Sequence, residues 1–167
     1  MSLCVLIGLL ASMYIHSLTG NLLISIAAGI GIFMAFNIGA NDVANNLGAT
    51  VGSGALTIKN AIIIAAIFEF SGAYLAGGDV VGTIKKGIID PSTITDPSLF
   101  VSAMMAALLS AGLLLTIATW KGLPISTTHS IVGGVMGAGI GLGGFTIVNW
   151  EKMGGIAASW VISPVAG

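Results

Sequence analysis

Residues 39–46 read Gly39-Ala40-Asn41-Asp42-Val43-Ala44-Asn45-Asn46 and place one carboxylate and three carboxamides inside an otherwise apolar chain. Of the 167 residues, 56% are hydrophobic and only 7% are charged, whereas a soluble domain carries about 25% charged residues. Such a chain cannot cover its own surface with polar groups, so the composition predicts an integral membrane protein. Polar residues at membrane depth usually face a cavity, a partner or a substrate path. The stretch therefore indicates a functional site within the bilayer.

The charged and sulfur-bearing residues exclude several classes of partner and site. There is no arginine, and five lysines are too few and too scattered for a nucleic-acid surface. The one cysteine, Cys4, allows no intramolecular disulfide and no cysteine-built metal site. The chain is apolar from Leu3 onward with no basic residue before it, which favours a retained membrane segment over a cleaved signal peptide.

Apolar runs and polar breaks divide the chain into five to six membrane segments, since a span needs roughly 20 apolar residues. The stretch 47–56 is too short to span alone and is predicted to complete a broken helix that starts before residue 39. The longest polar connection, 79–97, contains two prolines. The predicted segments are 3–18, 21–36 running on into the Asn/Asp stretch, 61–77, 99–119, 125–145 and one that begins at 153.

The Asn/Asp stretch has the spacing of a binding site on one helix face. Positions three and four apart share a face, so Asn41 aligns with Asn45, and Asp42 aligns with Asn45 and Asn46. Gly39 lies just upstream, and an unwound turn there would expose backbone carbonyls and amides, as transporters do near the bilayer midplane. The alternative is a hydrogen-bond cluster that only fastens helices together. One carboxylate with three amides exceeds what fastening needs, which favours the binding site.

A second polar motif, Ser126-Thr127-Thr128-His129-Ser130, follows Pro124, which suits the lead-in to a new helix. With Ser126 as the N-cap, the motif gathers backbone N–H groups, hydroxyls and an imidazole at one helix start, where anions bind readily. The hydroxyl lone pairs also suit a cation, and the alternative is a capped helix whose threonines bond back to the backbone. Further along, Gly133, Gly137 and Gly141 recur every four residues, which predicts a closely packed helix face.

Two titratable side chains add to these motifs. Glu69 lies mid-span, where a bare carboxylate is costly, so it is expected to meet a bound cation, hold a proton or form hydrogen bonds in a cavity. His129 stands beside four hydroxyl residues, which leaves open a role in substrate binding or a structural role. The other histidine, His16, is too far along the chain to indicate a metal site. The helix start at Ser126 suits an anion, whereas Asp42 and Glu69 suit a cation, so a site with both favours symport.

Together the two motifs resemble the inorganic phosphate transporter (PiT) family. The likeness rests on residues 39–46 and 124–133, and it extends to Phe68-Glu69-Phe70-Ser71-Gly72 and Trp160-Val161-Ile162-Ser163-Pro164. It implies uptake of inorganic phosphate driven by a sodium or proton gradient, without a cofactor, in two inverted repeats whose broken helices meet at the midplane. The family carries the Asn/Asp motif twice and this chain carries it once. Residues 1–167 therefore resemble a single transmembrane domain, the N-terminal-like half, which is either a fragment or a half that assembles with a second copy in the opposite orientation.

The resemblance also implies roles for individual residues. The residues implied in phosphate binding are Asp42, Asn45, Ser126, Thr127, Thr128 and His129. Those implied in cation coupling are Asn41, Asp42, Asn46, Glu69 and Thr127. The implied sodium ligands are Asn41, Asp42 and Thr127.

The sequence thus predicts an all-α, multi-pass protein of the cell membrane that forms one half of a phosphate:cation symporter and is not an enzyme. Its expected partners are inorganic phosphate, sodium or protons, the lipid bilayer, and a second repeat or second copy. Sulfate or another oxyanion remains an alternative substrate, because sulfate and phosphate have similar size and geometry. Two other classes stay open: a structural or assembly subunit, and a membrane hydrolase using Glu69, His129 and Ser126, which lacks a recognisable third partner.

Overall fold

The computed structural model describes residues 2–94 and 96–166. Within these ranges the chain forms six α-helices and two short 3-10 turns, Pro91–Thr93 and Phe145–Ile147. The α-helices are α1 (Ser2–Thr19), α2 (Leu22–Gly52), α3 (Ile58–Gly87), α4 (Pro97–Trp120), α5 (Thr127–Gly143) and α6 (Trp150–Ala166). Three of them, α2, α4 and the Ile58–Gly82 part of α3, are long and apolar enough to cross a membrane. The predicted all-α membrane fold is confirmed.

Polar side chains define where four of the helices begin, because each accepts a hydrogen bond from a backbone amide of the first turn. The predicted cap at Ser126 is one of them: its Oγ accepts from the amide of His129 at 3.3 Å. The other three caps are Asn21 for α2, Thr57 for α3 and Asp96 for α4. These helix starts are therefore local features that the sequence encodes directly.

Helix α2 runs unbroken from Leu22 to Gly52, through the whole Asn/Asp stretch. The predicted broken helix at Gly39 is wrong, and most of 47–56 belongs to the same helix. A glycine in a helix interior costs only about 1 kcal/mol relative to alanine, which is too little to open a helix that its neighbours support. The carboxamides of Asn41 and Asn45 find partners beside α2, so no unwound backbone is needed to satisfy them.

Helix α3 is longer than predicted. It continues past residue 77 to Gly87 and takes in Asp79, so the polar connection shrinks to 88–96. Charged residues interrupt a hydrophobic run without interrupting helical hydrogen bonds, because aspartate and lysine are tolerated inside helices. The helix ends before Pro91, and a proline restricts the residue that precedes it.

Helices α2 and α4 lie side by side and run parallel. Phe33 packs on Gly112, where an added Cβ would come within 2.8 Å of the Phe33 ring. Two turns further along both helices, Asn41 hydrogen-bonds to Thr119. Contacts that advance in step along both helices require the same direction, so α4 ends at the level of the Asn/Asp stretch. The next helix, α5, consequently starts there too.

Helix α5 folds back antiparallel along α4, and a buried apolar cluster lies at the other end of this pair. An isolated bridge between Ile89 and Val148 joins the segment after α3 to the segment before α6. Both residues of the bridge belong to the cluster. The buried members are Ile88, Ile89, Ala107, Val132, Val135, Ile147 and Val148.

The glycines of α5 that pack closely are neighbours of the three regularly spaced ones: Gly134, Gly139 and Gly143. A Cβ built on Gly133, Gly137 or Gly141 would meet nothing within 4 Å. A Cβ on Gly134 would lie 2.8 Å from the carbonyl oxygen of Ala107 on α4. The face of α5 that contacts α4 is therefore offset by one residue from the face that the regular spacing indicated. The prediction that Gly133, Gly137 and Gly141 form a closely packed face is wrong.

The outer faces of the helices are apolar and exposed. Tyr74 and Leu75 on α3 are 82% and 81% exposed, and Val165 on α6 is 84% exposed. Exposed apolar area of this extent is unfavourable in water, whereas hydrocarbon solvates it. These faces fit a multi-pass membrane protein.

Candidate functional site

The two polar motifs meet where α5 begins beside α2. Thr127 Oγ1 donates to Asp42 Oδ2 at 3.1 Å, which joins residues 85 positions apart in the chain. Asp42 lies in the second half of α2, and Thr127 is the first residue of α5 after its cap. Both side chains are half-buried. Asp42 and Thr127 meet because α4 runs parallel to α2 and ends beside Asp42, so that α5 begins there.

Two carboxamides of the Asn/Asp stretch form a network beside this pair. Asn45 Nδ2 donates to Asn41 Oδ1 at 2.8 Å and to the Ile125 carbonyl at 3.4 Å. Asn41 Nδ2 in turn donates to Thr119 Oγ1 at 3.2 Å, and Asn41 is only 3% exposed. Both polar atoms of Asn41 are thus engaged inside the protein. Asn41 connects α2 to Thr119 at the end of α4. Asn45 connects α2 to Ile125, the residue before the cap of α5.

Sequence reasoning missed the polar partners on α4 and a further asparagine on α2. Thr116 Oγ1 donates to Asn37 Oδ1 at 2.7 Å, one turn before the bond between Asn41 and Thr119. The spacing of Asn37, Asn41 and Asn45 by four residues marks one helix face and was the available signal. On α4, the two threonines three residues apart in an apolar helix were a weaker signal of the same kind.

Glu69 and Asn46 lie apart from the Asp42–Thr127 pair. They line a cavity of about 690 Å³ between α2 and α3 whose other walls are mostly apolar. Glu69 also borders a second cavity of about 760 Å³ between the same two helices. No hydrogen bond joins Glu69 or Asn46 to Asp42 or Thr127 within the described part of the chain.

The next residues of α5 face a third cavity, of about 610 Å³, between α5, α6 and the second half of α3. The imidazole of His129 lies against the indole of Trp160, with ring centroids 3.8 Å apart and planes inclined by 35°. Successive residues of a helix point about 100° apart, which separates Thr127 on one side from Thr128 and His129 on the other. The polar residues of this cavity are Asp79, Ser126, Thr128, His129, Ser159 and Ser163.

The electrostatics of the α5 start combine an attraction and a repulsion. The first amides of a helix have no intrahelical acceptor and carry partial positive charge, which favours an anion. The Asp42 carboxylate already lies at this helix start through its bond from Thr127. A second anion there would be repelled by Asp42 unless a cation lay between them. The arrangement is therefore suited to an anion only in the company of a cation.

The donor atoms near Asp42 suit a hard cation. Asp42 and Thr127 supply a carboxylate and a hydroxyl oxygen beside the carboxamides of the same stretch of α2, and oxygen ligands are those that hard cations prefer. Across residues 2–94 and 96–166, no group of three or more His, Cys, Asp or Glu side chains could hold a metal ion.

Similarity to known proteins agrees with the motifs. The model of the phosphate transporter family (PHO4) matches residues 38–167. The chain is 52% identical over its full length to the "putative phosphate permease" of Helicobacter pylori, of which it covers 32%. It is 54% identical over 83% of its length to a protein of the same description from Pyrococcus furiosus, of which it covers 34%. The chain therefore spans about a third of the length of these relatives.

A solved structure extends the likeness from sequence to fold. This relative, described as "The sodium-dependent phosphate transporter", superimposes with a TM-score of 0.81 at 45% identity. The superposition covers 86% of this chain and 36% of the solved one. Since the family model spans most of the chain and takes in both polar motifs, this chain belongs to the phosphate transporter family.

Proposed function

We propose that this chain contributes half of a site that carries inorganic phosphate across the cell membrane together with sodium. The observation that carries the proposal is the hydrogen bond from Thr127 to Asp42, which puts an anion-attracting helix start and a cation-attracting carboxylate at one point. Membership of the phosphate transporter family supports phosphate over sulfate. The likeness to a solved transporter described as sodium-dependent supports sodium over protons as the coupling ion.

Phosphate binds at the start of α5 in this proposal. The first-turn amides, that of Thr127 included, and the hydroxyls of Ser126 and Thr128 supply donors, while the hydroxyl of Thr127 donates to Asp42 and His129 borders the same turn. Repulsion from Asp42 opposes phosphate: two like charges 4 Å apart cost about 4 kcal/mol at an effective dielectric constant of 20. Sodium bound by Asp42, Thr127 and the neighbouring carboxamide oxygens removes this penalty. Phosphate affinity therefore depends on sodium, which is the basis of coupled transport.

The remainder of the site comes from a second repeat or a second copy of the chain in the opposite orientation. The exposed apolar faces of α3 and α6 offer surfaces for that partner as well as for lipid. Glu69 and Asn46, in the cavity between α2 and α3, take part in cation coupling from outside the Asp42–Thr127 pair. A helix-lined cavity that holds one carboxylate suits an ion that enters or leaves during the transport cycle.

Uptake of labelled phosphate by proteoliposomes containing the full chain tests the proposal. Reconstitution inserts the protein in both orientations, so antiparallel pairs can form. An imposed sodium gradient should drive uptake, and a proton gradient alone should not. Asp42→Asn should abolish the sodium dependence, and Asp90→Asn is the matched control, because Asp90 lies outside the helices and its carboxylate accepts from Ser92 in its own turn.

Three results would count against specific parts of the proposal. Sodium-driven uptake that is unchanged in Asp42→Asn at every sodium concentration would refute the cation site. Inhibition by sulfate as strong as by unlabelled phosphate would refute phosphate as the preferred substrate. Correctly inserted wild-type chain that takes up no phosphate would refute assembly from two copies and leave a second repeat as the source of the other half.

A further inference from the structure

We infer that Thr119 is a positioning residue that acts through Asn41 to hold the amide of Asn45 in one orientation. In that orientation Asn45 offers its carbonyl oxygen, not its NH₂ group, to a ligand. The three residues form a chain of hydrogen bonds that runs from the end of α4 across α2 to the carbonyl of Ile125, two residues before Thr127. The transport consequence rests on the proposed function, whereas the orientation of Asn45 is a property of the folded chain itself.

The orientation of the Asn45 amide is set by the Ile125 carbonyl, which can only accept a hydrogen bond. Its Nδ2 atom lies 3.4 Å from the backbone carbonyl of Ile125 and 2.8 Å from Asn41 Oδ1. A carbonyl oxygen has no hydrogen to give, so the nitrogen of Asn45 must face it. An NH₂ group has two hydrogens, and these two acceptors use both.

Asn41 transmits this orientation, and Thr119 holds Asn41 in place. Because Asn41 Oδ1 accepts from Asn45, the Nδ2 atom of Asn41 faces the other way, towards α4. Asn41 is 3% exposed, and a buried NH₂ group that loses its acceptor is costly. Thr119 Oγ1 accepts from Asn41 at 3.2 Å. Without this hydroxyl the buried NH₂ group has no acceptor, and the arrangement that fixes Asn45 loses its support.

The consequence is chemical. With both hydrogens of its NH₂ group used inside the protein, Asn45 has only Oδ1 left for a ligand. A carboxamide oxygen can coordinate a cation or accept the hydrogen of a P–OH group, but it cannot donate to a phosphate oxygen. Asn45 thus serves an electropositive partner, sodium or a protonated phosphate oxygen, instead of acting as an amide donor to phosphate.

A second threonine–asparagine hydrogen bond between α2 and α4 allows an experiment to distinguish positioning of Asn45 from simple attachment of the two helices. Thr116 donates to Asn37 at 2.7 Å one turn earlier, and Asn37 makes no contact with Asn45 in the described network. Both pairs join a threonine of α4 to an asparagine of α2. If Thr119 only fastened the helices, removing either hydroxyl would have the same effect. Thr116→Val is therefore the matched control for Thr119→Val.

The orientation is tested by NMR of the full chain in nanodiscs with ¹⁵N-labelled asparagine. In the wild type, the side-chain hydrogens of Asn45 should exchange with solvent more slowly than those of Asn46, which is also exposed but makes no side-chain hydrogen bond within the described part of the chain. The Asn45 signal should shift in Thr119→Val, return in Thr119→Ser and stay in place in Thr116→Val. Equal exchange at Asn45 and Asn46, or an Asn45 signal that Thr119→Val leaves unmoved, would overturn the inference. The exchange measurement needs no variant, so it decides the matter even if Thr119→Val does not fold.

The transport consequence is tested with the same variants in proteoliposomes. Thr119→Val should raise the sodium concentration for half-maximal uptake by about three- to tenfold, the usual effect of one lost hydrogen bond. If the partner of Asn45 is instead a P–OH group, Thr119→Val should raise the phosphate KM by a factor that depends on pH, and the sodium concentration for half-maximal uptake should stay unchanged. Thr116→Val should alter neither. Asn45 signals that shift in Thr119→Val while both constants stay unchanged would overturn the role of Asn45 in binding. If the same shifts occur in a chain whose wild type takes up no phosphate, they would support the positioning, and the missing uptake would refute only the assembly of the site from two copies.

Discussion

Replacing Gly134 by alanine should destabilise the protein, whereas the same change one residue earlier should stabilise it. A Cβ on Gly134 would lie 2.8 Å from the Ala107 carbonyl oxygen and 3.3 Å from Ser110 Oγ. The first of these atoms belongs to the backbone of α4 and cannot rotate away. A Cβ on Gly133 would meet nothing within 4 Å. The two substitutions are chemically identical and sit on the same helix, so each is the control for the other.

The difference between the two variants can be worked out term by term. Alanine in place of glycine stabilises a helix interior by about 1 kcal/mol, and this term is common to both. At Gly134 the new methyl group must also force α4 and α5 apart, and overpacking of this kind costs about 1–3 kcal/mol. The common term cancels in the comparison. Gly133→Ala should therefore be about 1–3 kcal/mol more stable than Gly134→Ala.

Unfolding of the purified chain in mixed micelles, titrated with a denaturing detergent and followed by circular dichroism, measures this difference. The wild type should unfold between the two variants or close to Gly134→Ala. Two variants that are stabilised equally, or a Gly134→Ala protein that is the more stable of the pair, would show that α4 and α5 do not approach each other at Gly134. The reasoning about which face of α5 is packed would then fail.

Three further outcomes follow from other parts of the molecule. The hydroxyl and amide of Ser98 hydrogen-bond to Asp96, the cap of α4, and hold its pKa below the ordinary 3.8. This stabilisation is present above the unfolded-state pKa and is lost as the pH falls through the lower folded-state value, so acid should lower the melting temperature less in Asp96→Asn than in the wild type. Glu69→Gln should reduce phosphate uptake with little change in melting temperature, since Glu69 is exposed in a cavity; equal loss of both would make it a structural residue. Trp160→Ala should destabilise the chain in detergent by about 0.5–1.5 kcal/mol more than Trp160→Phe, because phenylalanine keeps a ring against His129.

Parts of the fold were predictable because they depend on local chemistry. Helix α4 was expected over 99–119 and occupies Pro97–Trp120. The start of α5 was expected at Ser126 and lies there. A long apolar run and a capping hydroxyl each act on the residues next to them, so no knowledge of the rest of the chain is needed.

The errors concern properties that neighbouring helices decide. Gly39 was expected to open α2, but the helix continues because the asparagines beyond it are satisfied by Thr119 and by the Ile125 carbonyl. The regular spacing of Gly133, Gly137 and Gly141 indicated a packed face, but the contact with α4 falls on Gly134. Neither a break nor a packed face can be assigned until the partner helix is known.

The candidate site shows the same division. The sequence by itself determined that this is a helical membrane protein of the phosphate transporter family, because hydrophobicity and two short motifs are properties of the chain. Only the tertiary structure decided that Thr127 meets Asp42, that Thr128 and His129 face α6, and that Glu69 and Asn46 lie in a separate cavity. Helical periodicity determines which residues share a face of a helix. The direction of the adjacent helices, and the height at which they begin and end, determine which residues that face contacts. In this molecule α4 packs parallel to α2, and this packing places the start of α5 beside the Asn/Asp stretch.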